Sequence, residues 1–406
     1  MRKFLCCFAA LFLMLPTAVG AARSFDGAEG EEQAIGAAPA ALSAPLEDAP
    51  FVPDASAVLL VEADSGRVIF EKNADIRRPV ASLTKMMTLL LTVEAIEDGR
   101  LSLEDTVRVS KNAAGTGGSS ALLDADSEYP AEVLLKSVAV ASANDAAVAL
   151  AEHVYGSEEA FVRRMNGRAA ELGLRDTVYR NCTGLNGDGQ YMTARDTAQL
   201  ARVLGAHVLL REYSGIWMDT IVHPKNGRGT DLTNTNRLIR TYEGADGLKT
   251  GSTSEAMFCV AATAMRGGMR LIAVVLGASS SSERFSIAAR MLDYGFDHYY
   301  LHEIAQEGAV VWEGLPVKGG SEKTVDIVAG APVRAMIRKG EESSVYVETE
   351  LVEQMEVPFA KGAHAGLLYV YRNEERIAAV PAVTAKGVEN KGWIGTVLRV
   401  LAAWVS

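Results

Sequence analysis

A serine and a lysine stand three residues apart in the stretch "RRPVASLTKMMTLLLTVEA", at the predicted start of an apolar helix. Three residues are close to one helical turn, so the side chains of Ser82 and Lys85 are predicted to share a face and to meet within hydrogen-bonding distance. A serine hydroxyl is a weak nucleophile until a neighbouring base accepts its proton. The pair therefore predicts a nucleophile beside its own general base.

Lys85 can act as that base only when it is neutral, which requires its pKa to fall from about 10.4 through burial or a second nearby cation. Lowering the pKa by about 3 costs roughly 4 kcal/mol, a loss of stability that suits a functional site better than a surface. The same spacing also arises from a helix cap followed by a solvated lysine. Taken alone, the pair leaves both interpretations open.

A second group of polar residues, Ser142 to Asp145, lies in "ASANDAAVALAEH", where one apolar helical run ends and another begins. Ser142 could pass protons between the nucleophile, the lysine and a leaving amine, and Asn144 could orient both Lys85 and a substrate carbonyl. Serine, asparagine and aspartate are also good N-cap residues. Ordinary capping is therefore the preferred explanation when this motif is taken alone.

A third motif, "DGLKTGSTSEAMF", places Lys249, Thr250 and Gly251 at the entry to a predicted strand. A lysine and a threonine hydroxyl can hold an anionic carboxylate, and a glycine lets a substrate lie against the strand edge without a side-chain clash. The Lys249 cation could also supply the field that keeps Lys85 neutral. The structural alternative is a strand that merely begins after a turn.

The three motifs, in this order and each in the expected local structure, are similar to those of the penicillin-recognising serine enzymes. More closely, the chain resembles the low-molecular-mass penicillin-binding proteins that act as D-alanyl-D-alanine carboxypeptidases. The segments "NCTGLNGDGQYMTARDTAQLA" and "NTNRLI" are also similar to sequences of that family. The resemblance runs from about residue 51 to 385.

The resemblance implies a catalytic group of four residues. Ser82 is the acylated nucleophile, Lys85 is the general base, and Ser142 and Asn144 complete the proton network and orient the substrate. The implied activity removes the terminal D-alanine from peptidoglycan stem peptides through an acyl-enzyme, with water as the acceptor and β-lactams as inhibitors. No cofactor and no metal is expected.

The implied substrate-binding group lies on the third motif. Lys249 and Thr250 bind the terminal carboxylate, and Gly251 lies along the substrate. The backbone N–H groups of Ser82 and Ser252 form an oxyanion hole.

Two other functions fit parts of this pattern. A serine β-lactamase shares the three motifs, but a class A enzyme uses an extra glutamate; near "VLLREYSG" the only candidate is Glu212, which a surface position explains better. A non-catalytic peptidoglycan-binding envelope protein could lose its nucleophile or base, whereas every catalytic position is filled here. The balance between carboxypeptidase, endopeptidase and transpeptidase action depends on the shape of the cleft.

The elements that must position these motifs are readable from periodicity. "ASAVLLVEADSGRVIFEKN" predicts a hairpin, a helical region follows from Ser82 to about residue 205, and "MFCVAATAM" and "MRLIAVVLGA" predict two strands that turn at Gly267 and Gly268. "SERFSIAARMLDYGFDHYY" then predicts an amphipathic helix. Strands at both ends and helices between them predict one α/β domain at 51–302, and the resemblance implies the antiparallel sheet of a β-lactamase/transpeptidase-like (α+β) fold.

Short alternating strands such as "TVDIVAG" and "GLLYVYR" predict a small all-β domain at 306–385. The tail at 390–406 has tryptophans near both ends and is too short to span a bilayer, so it predicts an amphipathic helix lying in a membrane surface. A helix packed on the β domain is the alternative.

The N-terminal residues predict an export signal at 1–22, with a basic start, the apolar run "FLCCFAALFLML" and small residues for cleavage. An uncleaved anchor is the alternative. A disordered leader is expected at 23–50, because this segment has almost no large apolar residues. The protein is therefore expected outside the cytoplasm, on the outer face of the cytoplasmic membrane.

Composition excludes several classes of function. The formal charge of −11 argues against nucleic acid as a partner. The 6 histidines show no ligand spacing, so a metal site is not predicted. Cys182 and Cys259, the two cysteines beyond the export signal, are expected to be isolated buried thiols rather than a disulfide.

Overall fold

A computed structural model describes residues 3–4, 41–51, 53–185 and 187–391. Its contacts separate the chain into a first unit, Glu31–His298, and a second unit that comprises Met1–Gly30 and Tyr299–Ser406. The predicted export signal and C-terminal helix lie outside the described residues, apart from 3–4 and 390–391.

The strands, in chain order, are β1 (Lys3–Phe4), β2 (Ala57–Glu62), β3 (Val68–Lys72), β4 (Thr106–Arg108), β5 (Glu128–Pro130), β6 (Met218–Val222), β7 (Gly229–Thr233), β8 (Ala245–Thr253), β9 (Met257–Arg266), β10 (Met269–Ala278), β11 (Tyr299–Ala305), β12 (Val310–Lys318), β13 (Thr324–Ala329), β14 (Val333–Arg338), β15 (Val345–Leu351), β16 (Met355–Glu356), β17 (His364–Arg372) and β18 (Glu375–Thr384). The helices are α1 (Lys85–Glu97), α2 (Lys111–Ala114), α3 (Ala131–Ala141), α4 (Asn144–Tyr155), α5 (Glu158–Glu171), α6 (Ala194–Ala206), α7 (Val208–Ser214), α8 (Leu238–Thr241) and α9 (Ser281–His298).

Five strands of the first unit form one antiparallel sheet in the order β3-β2-β10-β9-β8. Strand β10 lies between β2 and β9, so that Val274 pairs with both Leu59 and Ala261. The sheet thus joins the N- and C-terminal parts of the unit, which confirms the predicted arrangement. Nearly every residue of β2 and β10 is buried, and α6 and α9 pack on them, because both faces of the central strands are covered.

The helical region differs from its prediction in two respects. Helix α1 begins at Lys85 rather than at Ser82, because residues Ala81–Thr84 form a 3-10 turn and Ala81 has a positive φ of 49°. The structure also places the β4–β5 ribbon within the region predicted to be helical. Its strands have three residues each, too few for an alternating pattern to be read from the sequence.

Residues 41–50 form the end of the segment that was predicted to be a disordered leader. The backbone N–H groups of Ser43 and Leu46 donate to the carbonyls of Gly66 and Val68 at 3.1 and 3.0 Å, and Leu42 packs against the core. A stretch with so few apolar residues cannot fold alone, but it can add to the edge of an existing sheet. The described end of the leader is therefore part of the fold.

In its described residues the second unit is built of strands and has no α-helix, as predicted for the all-β domain. Its large sheet has the order β1-β15-β17-β18-β13-β12-β16, and β11 pairs with β14 in a separate ribbon. Its core is small and includes Ile327, Leu368, Val370 and Ala382, which are fully buried. Its C-terminal part begins with β11 at Tyr299.

Three further findings concern only the described residues. No helix there is both long and apolar enough to cross a membrane. Nor does that part of the chain hold a cluster of histidine, cysteine, aspartate or glutamate side chains that could bind a metal ion. Cys182 and Cys259 are both buried and free, which agrees with the prediction of isolated thiols.

Candidate active site

The side chains of Ser82 and Lys85 meet at the junction of the 3-10 turn and helix α1. The Lys85 Nζ lies 2.9 Å from the Ser82 Oγ and donates to the Thr183 carbonyl at 2.6 Å. Lys85 is fully buried, whereas Ser82 is half-buried and can be reached. The geometry of a nucleophile beside its base is therefore present.

Burial lowers the pKa of Lys85 to about 7, while Cys182 and Asp145 act in the opposite direction. The sequence argument allowed either burial or the Lys249 cation as the cause, and burial dominates. The pKa of Lys249 is itself well below its ordinary value, because that amine is buried and lies near Lys85 and Arg284. Near neutral pH, a large fraction of Lys85 is in the neutral form that a base requires.

The third motif lies on β8, which packs directly against the 3-10 turn Ala81–Thr84. A Cβ on Gly251 would lie 2.6 Å from the Val80 carbonyl oxygen and 2.9 Å from the Ser82 nitrogen, so only glycine permits this approach. The sequence predicted that this glycine makes room for a substrate. In the structure it makes room for the backbone of the 3-10 turn that contains Ser82. The Thr250 hydroxyl donates to that of Thr235 at 2.8 Å. Ser252, the next residue of the strand, is exposed.

The second motif occupies the junction between α3 and α4. Ser142 has a left-handed backbone with φ 59°, and Ser142 and Asn144 are each 2% exposed. The Asn144 amide nitrogen donates to the Gly117 carbonyl at 2.6 Å. The Ser142 Oγ and the Asn144 Oδ1 are buried, and neither atom has a hydrogen-bond partner among the described residues. Buried polar atoms normally have partners, so these two are candidates for contacts with a substrate.

Comparison with known proteins identifies the family. The model of the family "D-alanyl-D-alanine carboxypeptidase" matches residues 46–280, and that of "Penicillin-binding protein 5, C-terminal domain" matches residues 299–390. The chain belongs to the D-alanyl-D-alanine carboxypeptidase family.

Individual relatives agree with this assignment. The D-alanyl-D-alanine carboxypeptidase DacF of Bacillus subtilis is 37% identical over 86% of this chain and 90% of its own length. DacC of Escherichia coli is 34% identical over 86% of this chain and 88% of its own length. The crystal structure of a peptidoglycan synthesis regulatory factor (PBP3) from Streptococcus pneumoniae has a TM-score of 0.73 and 31% identity, and it covers 84% of this chain and 100% of that one. The predicted family and fold are therefore confirmed.

Sequence reasoning missed two contributors to this carboxypeptidase-family site. Arg284 on α9 donates to the carbonyls of Gly251 and Cys259 at 3.0 and 3.3 Å, and burial lowers its pKa to about 10. Thr183 contributes its carbonyl to Lys85. A backbone group carries no side-chain signal, and Arg284 resembles any charged residue of an amphipathic helix. Its burial appears only when α9 packs on the sheet.

Two residues that the sequence singled out are accounted for by their surroundings. Cys182 is fully buried, and burial together with Glu158 raises the pKa of its thiol well above the ordinary value. Such a thiol is a poor nucleophile, and its burial agrees with the expected isolated buried thiol. Glu212 is exposed on α7, as expected of a surface glutamate.

Proposed function

We propose that the protein is a serine-type D-alanyl-D-alanine carboxypeptidase that removes the terminal D-alanine from peptidoglycan stem peptides through an acyl-enzyme on Ser82. The observation that carries this proposal is the buried Lys85 amine, with a pKa of about 7, at 2.9 Å from the Ser82 hydroxyl. The names of the curated relatives supply the substrate class.

Acylation begins with the neutral Lys85 amine. The amine donates one hydrogen to the Thr183 carbonyl, and its lone pair accepts the proton of the Ser82 hydroxyl. The Ser82 oxygen bonds to the carbonyl carbon of the penultimate D-alanine, while the backbone N–H groups of Ser82 and Ser252 stabilise the oxyanion. The peptide C–N bond then breaks, and the departing amine takes a proton from Lys85, relayed by Ser142.

Residues of the second and third motifs bind the substrate. Lys249 and Thr250 hold the terminal carboxylate, and Gly251 lies beside the peptide. An arriving carboxylate favours the charged form of the Lys249 amine, which burial otherwise disfavours. The free Oδ1 of Asn144 accepts a hydrogen bond from the substrate amide.

Deacylation repeats the same chemistry with water. Lys85 accepts a proton from a water molecule, the resulting hydroxide attacks the acyl carbon, and the ester bond to Ser82 breaks as the serine oxygen recovers a proton. No metal or cofactor is required by these steps, because base, nucleophile and electrostatic stabilisation come from the chain.

The test is intact-mass analysis of the purified protein after brief exposure to benzylpenicillin, with Ser82→Ala in parallel. We expect a stable adduct on the wild type that is absent from the variant. Rapid drug loss without an adduct would instead indicate a β-lactamase. Neither adduct nor drug loss would overturn both enzymatic functions and favour a non-catalytic binding protein.

We further propose that the enzyme is exported and rests on the outer face of the cytoplasmic membrane. The support is sequence alone: the export signal at 1–22 and the amphipathic tail at 390–406. The tail should make the protein sediment with lipid vesicles, and deletion of residues 392–406 should abolish sedimentation while leaving penicillin acylation intact. Equal sedimentation of both forms would contradict a membrane-binding tail.

A further inference from the structure

The turn formed by "NCTGL", residues 181–185, belongs to none of the three motifs, yet it contacts the first motif directly. The Thr183 carbonyl accepts from the Lys85 amine at 2.6 Å, and the Cys182 carbonyl accepts from the Thr88 hydroxyl at 2.6 Å. The consecutive carbonyls of Cys182 and Thr183 therefore accept hydrogen bonds from two helix α1 side chains that lie three residues apart.

The same turn also packs against the residue before the nucleophile. Gly184 has a φ of +81°, and a Cβ there would lie 2.0 Å from the Ala81 carbonyl oxygen. Downstream of the turn, the Gln190 amide accepts from the backbone N–H of Asn181 at 3.2 Å and donates to the Thr84 hydroxyl at 3.3 Å. The turn is thus linked to the nucleophile segment at several points.

One side chain shapes this turn. The Asn181 Oδ1 accepts from the backbone N–H groups of Thr183 and Gly184 at 3.1 and 2.7 Å, and from the Thr183 hydroxyl at 3.2 Å. Its Nδ2 donates to the Leu185 carbonyl at 2.8 Å. An asparagine that bonds to the backbone two and three residues ahead imposes a turn locally.

The turn matters because a neutral amine has to be oriented to act as a base. A protonated lysine can donate in three directions, but the neutral form has only two hydrogens and one lone pair. When one hydrogen is directed to the Thr183 carbonyl, the lone pair can face the Ser82 hydroxyl. A carbonyl displaced by about 1 Å would let the amine rotate away from the proton that it must accept.

We propose that Asn181 is a positioning residue of the reaction: it holds the Thr183 carbonyl at the place where that carbonyl orients the Lys85 amine toward Ser82. The inference rests on the proposed function. Asn181 acts through the turn and touches neither the substrate nor the reacting atoms.

The experiment compares Asn181→Ala with Asn166→Ala in the full-length protein. Asn166 is a comparable control, because its side chain makes three hydrogen bonds, against four for Asn181: to the Val162 carbonyl and to the backbone N–H and carbonyl of Tyr179, two residues upstream of the turn. Thermal unfolding reports the folded fraction of each variant. The rate constant of acylation by benzylpenicillin is then measured from pH 5 to pH 9.

We expect Asn181→Ala to lower the acylation rate constant at pH 7 by about tenfold to hundredfold, whereas Asn166→Ala stays within about twofold of the wild type. A loosened turn also admits water to Lys85, so the acidic limb of the pH profile should move to higher pH in Asn181→Ala only. Both variants leave unchanged the other ionisable groups near Lys85. Cys182 and Asp145 act on Lys85 itself, and Arg284 acts on the neighbouring Lys249.

A conservative variant distinguishes loss of the turn geometry from a general folding defect. Asn181→Asp keeps the acceptor oxygen but loses the bond to the Leu185 carbonyl, so at pH 9, where Lys85 is neutral, it should be acylated faster than Asn181→Ala and more slowly than the wild type. The inference is overturned if Asn181→Ala is acylated like Asn166→Ala, with an unshifted pH profile, or if Asn181→Asp is as slow as Asn181→Ala at pH 9. A wild type that forms no adduct would overturn the proposed function, and this inference with it.

Discussion

Lys85 combines a fully buried amine with the proposed role of general base, which requires proton exchange. Burial lowers its pKa from 10.5 to about 7, which costs roughly 5 kcal/mol of folding free energy at neutral pH. Between about pH 7 and pH 10.5 the unfolded chain binds the additional proton, so the contribution of Lys85 to the free energy of unfolding rises with pH across that window.

The same pKa predicts how acylation depends on pH. Below pH 7 the amine is protonated and has no lone pair for the Ser82 proton, so the acylation rate constant should rise about tenfold per pH unit and level off above pH 8. Stopped-flow or quenched mass measurements with benzylpenicillin between pH 5 and pH 9 test this. A rate that is constant or falls over the same range would exclude Lys85 as the base.

Gly251 sets the distance between strand β8 and the 3-10 turn that contains Ser82. Gly251→Ala would place a Cβ 2.6 Å from the Val80 carbonyl oxygen, forcing the two backbones apart. We expect the free energy of unfolding to fall by about 1–3 kcal/mol and acylation to slow more than tenfold. Urea unfolding and penicillin acylation measure both effects.

Gly205 provides the matched control for that substitution. It lies within α6, where an added Cβ would meet nothing within 4 Å. Gly205→Ala should therefore raise stability by up to about 1 kcal/mol and leave acylation unchanged. Equal behaviour of the two alanine variants would refute a close packing requirement at Gly251.

At the scale of elements, the site depends on the hydrogen bonds that join helix α9 to the sheet. Arg284 bonds to the carbonyls of Gly251 on β8 and Cys259 on β9, so one guanidinium spans two neighbouring strands. Because charge-assisted bonds contribute about 1.5–3 kcal/mol, Arg284→Met should lower the free energy of unfolding by about 2–4 kcal/mol and slow acylation.

The control for Arg284 lies on the same helix. Arg290 is exposed, and its guanidinium lies 4.1 Å from the centre of the Phe51 ring. Arg290→Met should change stability by less than about 1 kcal/mol and acylation by less than about twofold. If Arg290→Met had the larger effect, the link between α9 and β8 would be unimportant for the site.

At the scale of the whole molecule, every contact described for the site lies within Glu31–His298. A chain ending at His298 should therefore fold and be acylated by benzylpenicillin at a rate within about threefold of that of the full chain. Circular dichroism and intact mass test the two parts of this prediction. A folded but unreactive fragment would mean that the second unit contributes to the site.

The sequence by itself was sufficient to predict the family, because the motifs that carry the resemblance are short and local. Three short motifs carry the residues proposed as nucleophile, base and carboxylate-binding groups, and two apolar runs on either side of Gly267 and Gly268 predicted a pair of strands. Spacing within one helical turn was sufficient to predict that Ser82 and Lys85 meet, since that contact depends only on local backbone geometry.

Only the tertiary structure decided the pKa of Lys85, the proposed base, and the orientation of its amine. The burial that lowers the Lys85 pKa, the Thr183 carbonyl that binds its amine and the Arg284 guanidinium that ties β8 to β9 all depend on segments far apart in the chain. A turn carbonyl and a helical arginine carry no distinguishing pattern in the sequence. Their roles arise when packing removes water and brings them against the three motifs, because desolvation and hydrogen-bond geometry are properties of the folded environment.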